Sequence, residues 1–192
     1  MLKELKQLDF WEGLLARKTF ILISGRAGVG KSLTGNLLVE ALKKKGYKSS
    51  IRNFADRLKD CAIEYFNWDG DKDIRGRILL QEVGDVGRQY DKDTWVSQLV
   101  DNVVDDLRFD IVIATDWRFP NELEYLESNN FQVLTIRVNA PRRESLKGTE
   151  NYNHISETSL PEMDNDLYDC TIDNDGSIEL NYLVENFVEL YF

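Results

Sequence analysis

Thr19-Phe20-Ile21-Leu22-Ile23-Ser24-Gly25-Arg26-Ala27-Gly28-Val29-Gly30-Lys31-Ser32 is the stretch that decides how this 192-residue chain is read. Residues 19–24 form a short apolar run rich in isoleucine, the composition of a strand buried on both faces of a parallel sheet. Residues 25–32 follow at once and match G-x-x-x-x-G-K-[ST] in full. From residue 31 onward Leu33, Leu37, Leu38, Ala41 and Leu42 keep one helical face, and Lys43, Lys44 and Lys45 before Gly46 supply a cationic last turn and a stop. A glycine-rich turn between a buried strand and a helix N-terminus aims backbone N–H groups at phosphate oxygens, and the helix end adds a favourable field. In that geometry Lys31 reaches the β- and γ-phosphates of a nucleotide, and Ser32 places its hydroxyl on Mg²⁺. Gly25, Arg26, Ala27, Gly28, Val29, Gly30, Lys31, Ser32 and Leu33 are therefore the candidate contacts for ATP, with Mg²⁺ as its companion. The competing reading is a glycine turn that holds no ligand.

Outward from this stretch, residues 48–54 read as a second strand, and Asp56 suits the cap of a helix carrying Leu58, Cys61, Ala62, Tyr65 and Phe66 on one face. That spacing makes Cys61 a core residue rather than a nucleophile. Residues 67–73 are polar and contain Gly70, as in a loop. Residues 77–90 and 94–109 read as helices, the second striped by Trp95, Leu99, Val103 and Leu107. Residues 110–115 form another buried strand ending in Asp116, and Pro120 suits the first turn of a helix running to about Asn129. Residues 131–139 are a fourth strand and residues 168–172 a fifth. Ser177 or Asp175 then caps a last helix with Leu180, Leu183, Val184, Phe187 and Tyr191 on its face. The alternation predicts an α/β protein with a central five-stranded parallel sheet flanked by helices. Residues 1–18 precede it as an amphipathic helix, and residues 19–192 form one domain with a polar lid segment at about 140–161.

Lys and Arg number 24 against 34 Asp and Glu, a formal charge of −10. Affinity for nucleic-acid polymers comes mostly from Lys and Arg, so this balance argues against a polymer-binding protein and leaves small anionic ligands. Two cysteines more than a hundred positions apart suggest a cytosolic chain with no thiol chemistry. No apolar run approaches the roughly 20 residues of a membrane-spanning helix. The acidic interruptions Glu4, Asp9 and Glu12 argue against a secretory leader, and the apolar face of residues 1–18 suits the chain's own core or a homodimer interface.

A second cluster follows the third strand, where open parallel sheets present ligand contacts at their carboxyl edge: Asp116-Trp117-Arg118-Phe119-Pro120-Asn121-Glu122. Arg118 is suited to grip a second phosphate. Asp116 and Glu122 are suited to accept hydrogen bonds from a sugar or base, or to stand near Mg²⁺. A solvated loop with an Arg–Glu pair is the plainer alternative. Arg77 and Arg88 flank Gly84, with Trp95 shortly after. Arg137 stands in the fourth strand, and Arg142 and Arg143 follow Pro141, an arrangement suited to a lid that neutralises a transferring phosphoryl group. His154 is the sole histidine, and without neighbouring cysteines it is a poor zinc ligand.

The order of these segments, together with His154-Ile155-Ser156-Glu157-x-x-Leu160-Pro161 and the turn Asp173-Asn174-Asp175-Gly176-Ser177, resembles bacteriophage-type deoxynucleoside monophosphate kinases from about residue 19 to the end. The resemblance implies the P-loop kinase fold and ATP-dependent phosphorylation of a dNMP to a dNDP. It places Arg77, Gly84, Trp95, Asp116, Arg118 and Glu122 along the monophosphate site, to which Arg88 and Arg137 are added as candidate substrate contacts. Lys31, Arg118, Arg142 and Arg143 are the candidate catalytic residues, and Ser32 and Asp116 the candidate metal contacts. A phage-encoded enzyme of this kind works in the host cytoplasm. P-loop phosphomevalonate kinases share a similar plan and are the closest enzymatic alternative; an ATP-sensing interaction protein is the non-enzymatic one.

Overall fold

The computed structural model describes residues 18–140, 160, 167–176 and 178–192. Five strands, β1 (Thr19–Ser24), β2 (Ser49–Ile51), β3 (Ile111–Ala114), β4 (Gln132–Asn139) and β5 (Cys170–Asp173), form one sheet in the order β2-β3-β1-β4-β5, with every pairing parallel. Six helices, α1 (Lys31–Lys44), α2 (Asp56–Phe66), α3 (Ile74–Tyr90), α4 (Thr94–Val103), α5 (Pro120–Ser128) and α6 (Leu180–Tyr191), complete the described chain. The expected five-stranded parallel sheet flanked by helices is the architecture observed.

Alternation along β1 divides the core. Ile21 and Ile23 face Leu38 and Leu42 of α1 and Val184 and Phe187 of α6, whereas Phe20 and Leu22 face Val96, Leu99 and Val103 of α4 and Leu123 and Leu126 of α5. A central strand with both faces covered must be apolar throughout, which is why residues 20–23 have no solvent exposure.

Several boundaries differ from expectation, each for a local reason. The second strand is shorter: Arg52 N–H makes the last ladder bond to β3, at the Ile113 carbonyl, and the chain then leaves the sheet, with Phe54 and Ala55 N–H donating to the Asp116 side chain instead. Asp56 is the first residue of α2 rather than its cap; Ala55 holds the cap position, and Asp56 accepts from Asn53 N–H. Cys61 is only half-buried, and Tyr65 and Phe66 are exposed, since α2 lifts off the core in its last turn. The helix from Thr94 ends at Val103 rather than Phe109. Leu107 keeps helical spacing but is exposed in the turn that feeds β3, and Lys18 holds this turn by donating to the carbonyls of Asp106 (2.7 Å) and Phe109 (2.8 Å). Lys18 is thereby part of the domain. The last helix starts after Glu179 with no side-chain cap; Asp175 lies upstream of it, and Ser177 is outside the described residues. No described helix is long and apolar enough to cross a membrane.

Candidate active site

Where β1 ends, Gly25, Gly28 and Gly30 adopt φ of 140°, 87° and 106°, and the chain curls into a loop whose last residue is the N-cap of α1. Val29 points into the core and pins the loop from beneath. The Lys31 ammonium folds back along the loop and donates to the carbonyls of Gly25 and Arg26 (2.9 Å). Leu33 is exposed on the first turn of α1 and lies outside the cleft described next.

The opposite wall rises from the carboxyl ends of β3 and β2. Asn53 accepts from both the N–H (2.9 Å) and the hydroxyl (3.0 Å) of Thr115, and Asp116 accepts from Phe54 N–H (3.1 Å) and Ala55 N–H (3.0 Å). The turn after Asp116 is held by Glu122, whose Oε2 takes the N–H groups of Arg118 (2.9 Å) and Phe119 (3.0 Å) while Pro120 opens α5. Between this wall and the glycine loop lies a cleft of about 570 Å³. Ala27, Gly28, Lys31 and Ser32 line one end. Lys59, Lys72, Arg77, Arg88 and Arg118 line the rest with Asp116 and Glu122, and Phe54, Leu58, Leu80, Trp95 and Phe119 supply apolar surface.

Segments far apart in sequence thus meet in one space. Trp95 is set by its indole N–H, which donates to the Gly84 carbonyl (3.0 Å), so Gly84 shapes the wall without lining it. Arg88 lies over the Phe119 ring at 4.3 Å and pairs with Asp85 at 2.7 Å. Arg137, a candidate substrate contact by sequence, is elsewhere: its guanidinium sits over the Tyr168 ring and its Nε donates to the Asn139 side chain (3.0 Å). Arg26 contributes carbonyl bonding to Lys31 rather than cleft surface. Arg142, Arg143, His154 and most of the expected lid lie outside the described residues, as does the amphipathic segment before Lys18. Lys59, Lys72, Asn53 and Gln81 are cleft residues that sequence reading did not select. The signal available for Lys72 was its place between Asp71 and Asp73 in a loop just ahead of Arg77.

The electrostatics suit an anion. Burial pushes the Lys72 ammonium down from its ordinary value, and the nearby charges of Lys59, Arg77 and Arg118 push it further. Burial raises the Asp116 carboxyl, opposed by the Ala55 and Phe54 N–H groups and by Lys59 and Arg118. Burial pushes Glu122 up to about 8, against the two N–H bonds it accepts, with Asp116 adding to the rise. A neutral Glu122 at neutral pH removes one negative charge from a surface built of cations.

No cluster of three His, Cys, Asp or Glu suited to a metal exists among the described residues. Mg²⁺ bound with phosphates needs fewer protein ligands, because it keeps waters and takes phosphate oxygens. The Ser32 hydroxyl and the Asp116 carboxylate are oxygen donors on the same cleft, so the donor chemistry fits. The glycine loop with Lys31 likewise fits a polyphosphate.

No family model matches the chain. A herpesvirus protein of uncharacterised function, ORF77 of Ictalurid herpesvirus 1 (strain Auburn), is 36% identical over 107 residues, which cover 54% of this chain and 43% of that protein. Similar solved structures include a shikimate kinase from Acinetobacter baumannii in complex with shikimate (16% identity, TM-score 0.49, covering 94% of this chain and 96% of that one). They also include a Mycobacterium tuberculosis APS kinase in complex with AMPPNP and APS (11% identity, TM-score 0.47, covering 91% and 97%). Nothing about substrate passes to this chain from likeness at that level.

Proposed function

We propose that this protein transfers the γ-phosphoryl group of ATP to the phosphate of a deoxynucleoside monophosphate, giving ADP and the deoxynucleoside diphosphate. The observation that carries this reading is the pairing, in one cleft, of a phosphate-binding glycine loop with a second set of cations, Lys59, Lys72, Arg77, Arg88 and Arg118. One polyphosphate needs only the first. Further cations on the same cleft, carried by other elements, suit an acceptor that is itself a phosphate.

In this mechanism the glycine loop and Lys31 hold the donor's β- and γ-phosphates, and the Ser32 hydroxyl and Asp116 carboxylate would hold Mg²⁺, which would supply neutralisation of phosphate charge. Arg118 with Arg77 and Arg88 orients the acceptor phosphate for in-line approach. An oxygen of that phosphate forms the new P–O bond as the bond to the ADP oxygen breaks. The acceptor is already anionic near neutral pH, so no strong base is required, and positioning with charge stabilisation supplies most of the rate. Arg142 and Arg143, from the lid at about residues 140–161, are assigned to the transferring group. Arg118 is assigned to the acceptor phosphate and, through it, to catalysis, and the residues before Lys18 to the chain's own core or a homodimer contact. The viral relative favours a virus-encoded protein, and the host cytoplasm is the compartment assigned to it by this reading.

The aromatic and apolar wall of Phe54, Trp95 and Phe119 favours a planar base over the acyclic acceptor of the alternative kinase reading, phosphomevalonate. Purified protein with ATP, Mg²⁺ and each dNMP or phosphomevalonate, scored for ADP and the phosphorylated acceptor, tests both. Turnover that depends on a dNMP is expected; ATP binding with no acceptor-dependent turnover refutes the kinase reading and leaves an ATP sensor. Lys31→Ala should reduce turnover by at least about a hundredfold with a native-like circular-dichroism spectrum.

A further inference from the structure

The turn after β5 reaches under the glycine loop. Asn174 is buried, its backbone N–H donates to the Asn139 carbonyl at the end of β4 (2.8 Å), and its side-chain amide donates to the Val29 carbonyl (2.9 Å). It packs so closely that a Cβ on Gly30 would come within 2.5 Å of its amide nitrogen, and Gly30 already sits at φ 106°. Both constraints exclude a side chain at position 30.

We propose that Asn174 is a positioning residue for the phosphate-binding loop. The Val29–Gly30 peptide is trans, so its carbonyl and its N–H point in opposite directions. Fixing the Val29 carbonyl on Asn174 therefore also fixes the Gly30 N–H, which points away from Asn174, and the proposal assigns that N–H to the bound phosphate. Without that anchor the peptide is free to rotate and lose a donor from the anion site. The anchor is itself held: Asp173, the preceding residue, accepts from the Asn139 side chain (3.2 Å), whose Oδ1 accepts from Arg137 Nε (3.0 Å). Arg137, which does not line the cleft, thus belongs to the polar chain that runs from β4 through the β5 turn to the loop.

This inference rests on the loop being a polyphosphate site, and the test separates the two. Wild-type protein, Asn174→Asp and Asn174→Ser are titrated calorimetrically with inorganic tripolyphosphate and with ATP, both with Mg²⁺, and each variant's Tm is measured. Aspartate keeps the shape of asparagine but sets an acceptor against the Val29 carbonyl, so affinity for both ligands should fall at least about tenfold, as expected where a buried carbonyl loses its donor. Serine, which keeps a hydroxyl donor on a shorter arm, should fall in between, and it decides the matter if the aspartate variant does not fold. In turnover, the KM for ATP should rise by the same factor while the acceptor KM stays within about twofold. Unchanged tripolyphosphate affinity in a folded variant overturns the proposal, including the case where ATP alone binds worse, which would assign Asn174 to the base. Failure of the wild-type protein to bind tripolyphosphate or ATP overturns the loop reading instead.

Discussion

At the scale of single residues, Glu122 couples charge to stability. Folded, it keeps its proton up to about 8, whereas an unfolded glutamate releases it near 4.5. Between those values the native state binds more protons than the unfolded one, so this residue makes stability fall as pH rises through the window and adds no further loss above it. Glu122→Gln retains an oxygen for the N–H groups of Arg118 and Phe119 and removes the titration. Its Tm should match the wild type at about pH 5 and exceed it by about 4 °C or more at about pH 8.5; a pH-independent difference would refute the assignment. The two glycines beneath Trp95 should also separate. A Cβ at Gly87 would lie 2.5 to 2.9 Å from atoms of the Trp95 ring, which is packed and hydrogen-bonded, whereas at Gly84 the first obstacles are the terminal guanidinium of the long Arg88 side chain (2.8 Å) and a Leu58 methyl (3.0 Å). Gly87→Ala should therefore cost about 1–3 kcal/mol, seen in thermal melts. Gly84→Ala should melt within about 2 °C of wild type and instead raise the acceptor KM by moving Arg88 off Phe119.

At the scale of elements, the wall opposite the glycine loop is a strand that has left its sheet. Beyond Arg52 side chains take over from the ladder: Phe54 and Ala55 N–H go to Asp116 and Thr115 N–H goes to Asn53, which opens the edge of the sheet while these backbone groups keep partners. Asn53→Ala removes the acceptor shared by the Thr115 N–H and hydroxyl, and should lower Tm by about 3–6 °C while raising the acceptor KM; an unchanged KM would detach this wall from acceptor binding. The same substitution of side chains for ladder bonds explains what sequence reading missed. Residues 48–54 have strand composition, and nothing in their periodicity marks where side chains take over from the ladder. Hydrophobic spacing likewise overran the end of α4 at Leu107 and the core face of α2 at Tyr65 and Phe66, because it records pattern and not where the chain turns. By contrast, the strand, glycine loop and helix at residues 19–44 were legible in order and type, since each needs a narrow composition: apolar residues throughout, glycine at positive φ, and a helical stripe. The placement of Arg77, Arg88, Trp95 and Arg118 around one space depends on how three helices cross the sheet edge. Arg137 shows the limit of that reasoning, since a cation at a strand end faces the cleft or its neighbours according to packing that spacing alone does not encode.

At the scale of the whole molecule, a chain of formal charge −10 gathers Lys31, Lys59, Lys72, Arg77, Arg88 and Arg118 on one cleft. Such a field draws in phosphorylated ligands, and salt screens it. Raising KCl from about 50 to about 300 mM should increase the KM of the monophosphate acceptor several-fold with little change in kcat, and a salt-independent KM would mean that these cations do not face the acceptor in solution. The strand order carries a different consequence, in time rather than in space. β1 is made before both of its partners, β3 and β4, with Thr19 opposite both Ile111 and Gln132. The strand that launches the phosphate-binding loop cannot pair on both edges until more than a hundred further residues exist, and Asn174 arrives later still. Long-range pairing of this kind folds slowly, because loop closure must precede its contacts. On the ribosome the loop motif is therefore synthesised well before it becomes a binding site. Hydrogen-exchange pulse labelling during refolding should accordingly protect α1 before the amides of Phe20 to Ile23, and ATP added early in refolding should find nothing to bind.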